Sequence, residues 1–200
     1  INMPGFFYGL IIRRGVYEAI RNGLRPEDVW KMTDDELKNS LASHGIVSRK
    51  TYERIRDRIE SKTFLTLKIE GQEPHEEIRG KPNRIYGMPE EGMMKIVNHF
   101  GDINNAIKFE ENVEDMFGFG PGSITVAEMP HIKLLRPKDI PLFDRERGWT
   151  SLYEKIPETE HDFSSDIRRE YALRIGVIPE FRESAYEKSR DVLDILESFV

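Results

Sequence analysis

Apolar residues in this chain change their spacing near residue 60, from the period of a helix to a mixture of helical and alternating stretches. In the first part, Leu10, Val16, Tyr17 and Ile20 recur at helical intervals and predict a helix that Asn22-Gly23 ends. Pro26 stands where a first helical turn tolerates proline, and Glu27 and Asp28 follow at the positive end of the helix dipole. Thr33-Asp34-Asp35-Glu36 has the form of a capping box, with Leu37 and Leu41 as the buried side of its helix. Ser48 is expected to cap a further helix to about Glu60, with Tyr52, Ile55 and Ile59 inward and Arg49, Lys50, Arg54, Arg56 and Arg58 on or near the outside.

From Thr63 the pattern changes. Thr63 to Ile69 alternates and puts Leu65, Leu67 and Ile69 on one face of a strand. Residues 71–92 carry proline and glycine too closely spaced for a helix or a central strand, and predict a long loop or arm. A short helix follows from Met93 to Phe100, and Asp102 caps another whose Ile103, Ile107, Val113 and Phe117 share a face, with Gly118 as its C-cap. Ser123 to Met129 alternates as a half-buried strand, Ile140 to Phe143 is a second strand-like piece, and Asp144 to Gly148 is a charged turn. Trp149, Leu152, Tyr153 and Ile156 form an apolar cluster expected to cover a core. Tyr171, Leu173, Ile175 and Val177 predict a last strand, and Pro179 opens a final helix through Phe181, Ala185, Val192, Ile195 and Phe199.

The fold class these elements predict is α+β: an all-helical N-terminal part, then a small, mostly antiparallel sheet covered by helices on one face. The division falls near Ser61, giving a helical segment over 1–61 and an α+β lobe over 62–200.

Composition narrows the chemistry. With 200 residues and 38% of them apolar, the chain can bury a substantial core. A net charge of -6 is not the surplus of a general nucleic-acid binder. The absence of cysteine removes disulfides, thiolate metal sites and a cysteine nucleophile. No apolar run approaches the roughly 20 residues that span a bilayer, and no secretory leader is visible, so a cytoplasmic location and no membrane partner are expected. The first residue is Ile1, which leaves open that the chain continues upstream.

Several segments occur in an order with a likeness elsewhere: Trp30 to Leu37 (WKMTDDEL), the acidic helix Glu110 to Met116, the turn Gly120-Pro121-Gly122, the strand Ser123 to Met129, Lys138-Asp139-Ile140-Pro141, and Arg174 to Phe181. This succession resembles the C-terminal region of HD-domain phosphohydrolases, the group that includes deoxynucleoside triphosphate triphosphohydrolases. The resemblance implies that the helix after Pro4-Gly5 lies just downstream of a metal-binding part, with Arg13 and Arg14 near its start. Read by themselves, those two arginines are a solvated face. It also implies a divalent metal held upstream by histidine and aspartate, metal-assisted attack of water on the α-phosphorus, and release of nucleoside and triphosphate. The partners implied are an upstream HD catalytic segment, or another chain carrying it, further copies of the same chain, and a nucleotide.

The residues themselves supply no such metal site. His161-Asp162 is a literal His-Asp pair, but its polar surroundings lack the apolar helix that holds ligands rigid. His44, His75, His99 and His131 are scattered, with no i,i+4 pair. FGFGPG at 117–122 has its glycines after a helix and before a strand, the reverse of a phosphate loop, and is a turn. No catalytic residue and no metal ligand is therefore assigned within the chain. Lys62, Arg79, Lys81, Arg84 and Tyr86 are the candidate nucleotide contacts, cations and a ring suited to triphosphate and base, although residues 71–92 also read as an ordinary surface loop. The expected function is the C-terminal part of an HD-type nucleotide phosphohydrolase, bracing a catalytic core and serving assembly or effector binding. The alternatives are a non-enzymatic binding or scaffold module, or a nucleic-acid binder using Arg49 to Arg58 and the 71–92 arm.

Overall fold

The computed structural model describes residues 6–70, 83–127, 141–144, 148–151 and 172–199. Its helical part contains α1 (Phe6–Arg21), α2 (Pro26–Val29), α3 (Asp34–Ser43) and α4 (Ile46–Arg56). The capping box forms as expected: the Thr33 hydroxyl accepts from the Glu36 amide, and the Glu36 carboxylate accepts from the Thr33 amide at 2.7 Å. Ala19, Leu24 and Leu41 are buried at the centre of this part, with Val16, Ile20, Leu37, Tyr52 and Ile55 packed around them.

Three details of the helical part differ from the sequence reading. Ser48 does not cap α4, which starts two residues earlier after Gly45 at φ 103, a conformation open to glycine. The Ser48 hydroxyl instead donates to the carbonyl of Gly15 across the helix interface at 2.9 Å. The helix also stops at Arg56, so Ile59 lies beyond it and is exposed rather than inward. In α1 the buried face is shifted from the predicted one: Ile11, Arg14, Gly15, Glu18 and Ala19 are buried, while Leu10, Val16, Tyr17 and Ile20 are half-buried.

The second part is α+β. A four-stranded sheet in the order β2-β1-β6-β3 is made of β1 (Lys62–Ile69), β2 (Arg84–Met88), β3 (Ile124–Ala127) and β6 (Ala172–Val177). β6 runs antiparallel to both β1 and β3, and β2 runs parallel to β1. A separate hairpin joins β4 (Pro141–Asp144) to β5 (Gly148–Ser151). The expected long loop over 71–92 thus contains a strand, β2, and the first turn of a helix.

Leu65, Leu67 and Ile69 of β1 share a buried face with Ile124, Val126, Leu173, Ile175 and Val177, as their alternation predicts. A register shift between Thr63 and Leu65 lets Phe64 enter the same core. That core is closed by α5 (Glu90–Phe100), α6 (Ile103–Phe117), α7 (Arg182–Glu187) and α8 (Ser189–Glu197), through Met93, Ile96, Phe100, Phe109, Val113, Ala185 and Val192 among others. Helices reach the other face as well, because Ile11 of α1 packs on Ala127.

The single final helix of the sequence reading is three pieces, a 3₁₀ turn over Pro179–Phe181 followed by α7 and α8 with a break at Lys188. Trp149 does not cover a core either. It is 75% exposed on the hairpin, where its ring meets Phe143 edge-on at 5.4 Å. Leu152, Tyr153, Ile156 and Tyr171 lie outside the described residues.

Helices α1 and α4 cross tightly at Gly15, where a Cβ would stand 2.6 to 2.7 Å from side-chain atoms of Thr51 on α4. Alanine has about 1 kcal/mol more helix propensity than glycine. Overpacking an interface this tight costs about 1–3 kcal/mol and should outweigh that gain. Gly15→Ala is therefore expected to lower the denaturation midpoint, and an unchanged or raised midpoint would show that the two helices can separate without loss.

Candidate functional site

Two clusters of charged residues stand out, one buried and one at the surface. The buried one begins with the edge strand β3, whose outward backbone groups have no neighbouring strand among the described residues. Helix α6 places Glu110 and Glu114 one turn apart on a single face. Glu114 Oε1 accepts from the Ile124 amide at 2.8 Å, and Glu110 Oε1 accepts from the Val126 amide at 2.8 Å. Arg14 of α1 completes the edge. Its Nη1 and Nη2 donate to Glu114 at 2.7 and 2.9 Å, and Nη1 also donates to the carbonyl of Ile124 at 3.1 Å. All three residues are at most 5% exposed.

This overturns the reading of Arg14 as a solvated residue. In the sequence this guanidinium resembles any surface cation; the structure puts it midway along α1 rather than near its start, where β3 and α6 approach and bury it. Burial opposes its charge, but the bond to Glu114 and the fields of Glu110 and Glu114 outweigh that penalty and raise its pKa above the ordinary value.

The cluster holds two carboxylates against one guanidinium, and Arg14 spends its fork on Glu114. Glu110 Oε2 lies 3.1 Å from Arg14 Nη1 but outside hydrogen-bonding geometry, and both it and Arg14 Nε are buried without a hydrogen-bond partner. Desolvation therefore dominates at Glu110 and pushes its pKa to about 7, against the pull of Arg14 and of the Val126 amide.

The surface cluster contains the residues anticipated as nucleotide contacts. Lys62 opens β1 and is exposed, with its ammonium 3.8 Å from Glu60. Arg84 opens β2 beside Leu65 of β1, and Tyr86 sits half-buried beside Leu67. The structure places these three on adjacent strands, while Arg79 and Lys81 lie outside the described residues. Sequence reasoning missed Tyr186, on α7, whose ring lies under the Arg84 guanidinium with Cζ 4.4 Å from its centre. No signal in the sequence joins residues 102 positions apart.

The basic stripe of α4 is less available than its sequence suggests. Arg54 is buried and donates to the Gly122 carbonyl at 2.9 Å and to the Ser61 hydroxyl at 2.7 Å, and Arg56 is bound to Asp57 through two contacts of 2.7 Å. The FGFGPG segment is a turn as anticipated, with Gly118 at φ 69 and Gly122 at φ 82.

Among the described residues, no group of three histidine, aspartate or glutamate side chains is placed to hold a metal ion, and His161-Asp162 lies outside them. A divalent metal of the HD type therefore has no set of ligands in the described part. No described helix is long and apolar enough to cross a membrane. Comparison of the chain with protein-family models, with curated proteins and with solved structures finds no match.

The raised pKa of Glu110 has a signed consequence for stability. The folded protein holds a proton that the unfolded chain releases near the ordinary value of 4.5, so this stabilisation is full below 4.5 and is lost as pH rises through about 7. The loss should be on the order of 3 kcal/mol. Denaturation of the wild type is expected to ease between about pH 5 and 8, and Glu110→Gln, neutral throughout, should flatten that slope. An equally steep slope in the variant would remove Glu110 as its source.

Proposed function

We propose that this chain is the C-terminal part of an HD-type, metal-dependent phosphohydrolase of deoxynucleoside triphosphates, bracing the catalytic core and mediating assembly or effector binding. The observation that carries this reading is the buried bridge from Arg14 to Glu110 and Glu114. In the HD resemblance, α1 is the helix that leaves the metal-binding part. Here that helix is fastened by charge and hydrogen bonds to the edge of the sheet, so a displacement of the lobe is transmitted to α1 and to what precedes it. The capping box at Thr33 and Glu36, within the WKMTDDEL segment that resembles the family, adds a second point of support.

The ligands of the metal belong to a preceding segment or to another chain, and the chemistry that metal supplies is activation of water against the α-phosphorus. Lys62, Arg84 and Tyr86 are the described residues of this chain available to a nucleotide, at a contact between lobes or between copies of the chain.

The natural polypeptide, assayed with deoxynucleoside triphosphates and Mg²⁺ or Mn²⁺, is expected to release nucleoside and triphosphate, whereas residues 1–200 alone should release none. Hydrolysis by residues 1–200 alone, or a natural polypeptide and partners that carry no His-Asp metal site, would overturn the proposal.

A further inference from the structure

At the end of the sheet opposite β3, strand β2 has β1 on one side and, among the described residues, no strand on the other. The carbonyl of Met88 accepts from the Glu70 amide at 2.9 Å, which shows the side its backbone groups take. Successive residues of a strand turn these groups to opposite sides, so Arg84, Tyr86 and Met88 bond to β1 while Ile85 and Gly87 turn their amides and carbonyls outward. No described group bonds to them. Both residues are exposed, Ile85 at 38%. The outer groups of β3 are met by Glu110, Glu114 and Arg14, and at β2 no described side chain takes that role.

The strand is complementary to itself. Antiparallel pairing about a two-fold axis at Tyr86 sets Ile85 of each copy opposite Gly87 of the other, so that the outward amides and carbonyls of both residues find partners. Other registers do worse. An axis at Gly87 would set Ile85 opposite Pro89, which has no amide to give, and an axis at Ile85 would set Gly87 opposite Asn83, outside the strand. The side chains agree with the bonds: Ile85, apolar and exposed, fits over a residue that has no side chain of its own. Charge agrees as well. Arg84 opens the strand, Glu90 and Glu91 follow its end, and all three are exposed, so antiparallel pairing brings the basic end of one copy toward the acidic end of the other. Parallel pairing would bring like charges together.

We propose that β2 is a dimerisation edge, through which two copies of the chain pair antiparallel about an axis at Tyr86 and join their sheets into one. This goes beyond the phosphohydrolase reading and stands on β2 alone.

Sedimentation of the chain over about 1–500 μM is expected to show a monomer–dimer equilibrium, weak because a strand this short buries little surface. Ile85→Pro removes an amide that β1 does not use, and Ile85→Lys puts a charge on the edge. Each should weaken the dimer by about tenfold or more and keep the wild-type denaturation midpoint in dilute solution. The chain has no cysteine, so single-cysteine variants report the register. Across the proposed axis the Cα atoms of residue 86 would stand about 4.5 Å apart, within disulfide reach, and Tyr86→Cys should cross-link on oxidation. Ile85→Cys, set opposite Gly87 and away from its own counterpart, should cross-link several-fold more slowly. A chain that stays monomeric throughout, including one that pairs this edge with an added extended peptide instead, would overturn the proposal. So would a dimer equally tight in both Ile85 variants, or faster cross-linking at 85 than at 86. Nucleotide hydrolysis is read separately: an active protein that fails these tests sinks the dimer alone, and a dimer without hydrolysis sinks the hydrolase reading alone.

Discussion

The structure depends on how one edge strand is closed. Among the described residues β3 pairs with β6 on one side only, and the amides of Ile124 and Val126 and the carbonyl of Ile124 face away from the sheet. Buried backbone groups without partners cost about as much as the hydrogen bonds they lack. Apolar side chains on α1 and α6 could fill the space but could not satisfy those groups. Two carboxylates and a guanidinium can, and their arrival is what makes an α-helix serve where a fifth strand would otherwise be required. The general finding that buried ion pairs are often replaceable by hydrophobic ones applies poorly here, because removal would expose the strand edge as well as the charges.

The same cluster explains why the two parts of the chain are not independent layers. α1 belongs by packing to the helical part, through Ala19 and its neighbours, yet Arg14 and Ile11 commit it to β3. Ser61, at the anticipated boundary, is bonded to Arg54 of α4 and to Thr125 of β3. The division near residue 61 therefore marks a change of secondary structure across which side-chain bonds run in both directions.

What could be read in the sequence was what local periodicity and end-capping decide. The alternation of Leu65, Leu67 and Ile69, the Thr33 capping box and the glycine at 118 are determined within a few residues, and the structure contains all three. β2 was hidden because five residues including a glycine, lying between prolines, owe their strand to the ladder with β1 rather than to their own propensity. The buried charges were hidden because acids four apart on a helix ordinarily face solvent. One sign was present: Glu110 and Glu114 interrupt the stripe of Ala106, Phe109, Val113 and Phe117, where a surface residue would not fall. Arg14 had no such sign, since its partners are 96 and 100 residues away.

The two ends of the sheet are treated in opposite ways, and this asymmetry bears on where the lobe can act. At β3 the helices seal the edge and consume the local charge internally, so that Arg14 has none to offer a ligand. At β2, no further strand pairs among the described residues, Arg84 and Gly87 are exposed, and Ile85 is partly so at 38%. Arg84 there rests on the ring of Tyr186. A neutral support fixes a guanidinium without cancelling its field, whereas a carboxylate support does both. The chain thus places charges that satisfy one another between α1 and the sheet, where rigidity is needed, and at the opposite edge a guanidinium held by a neutral ring.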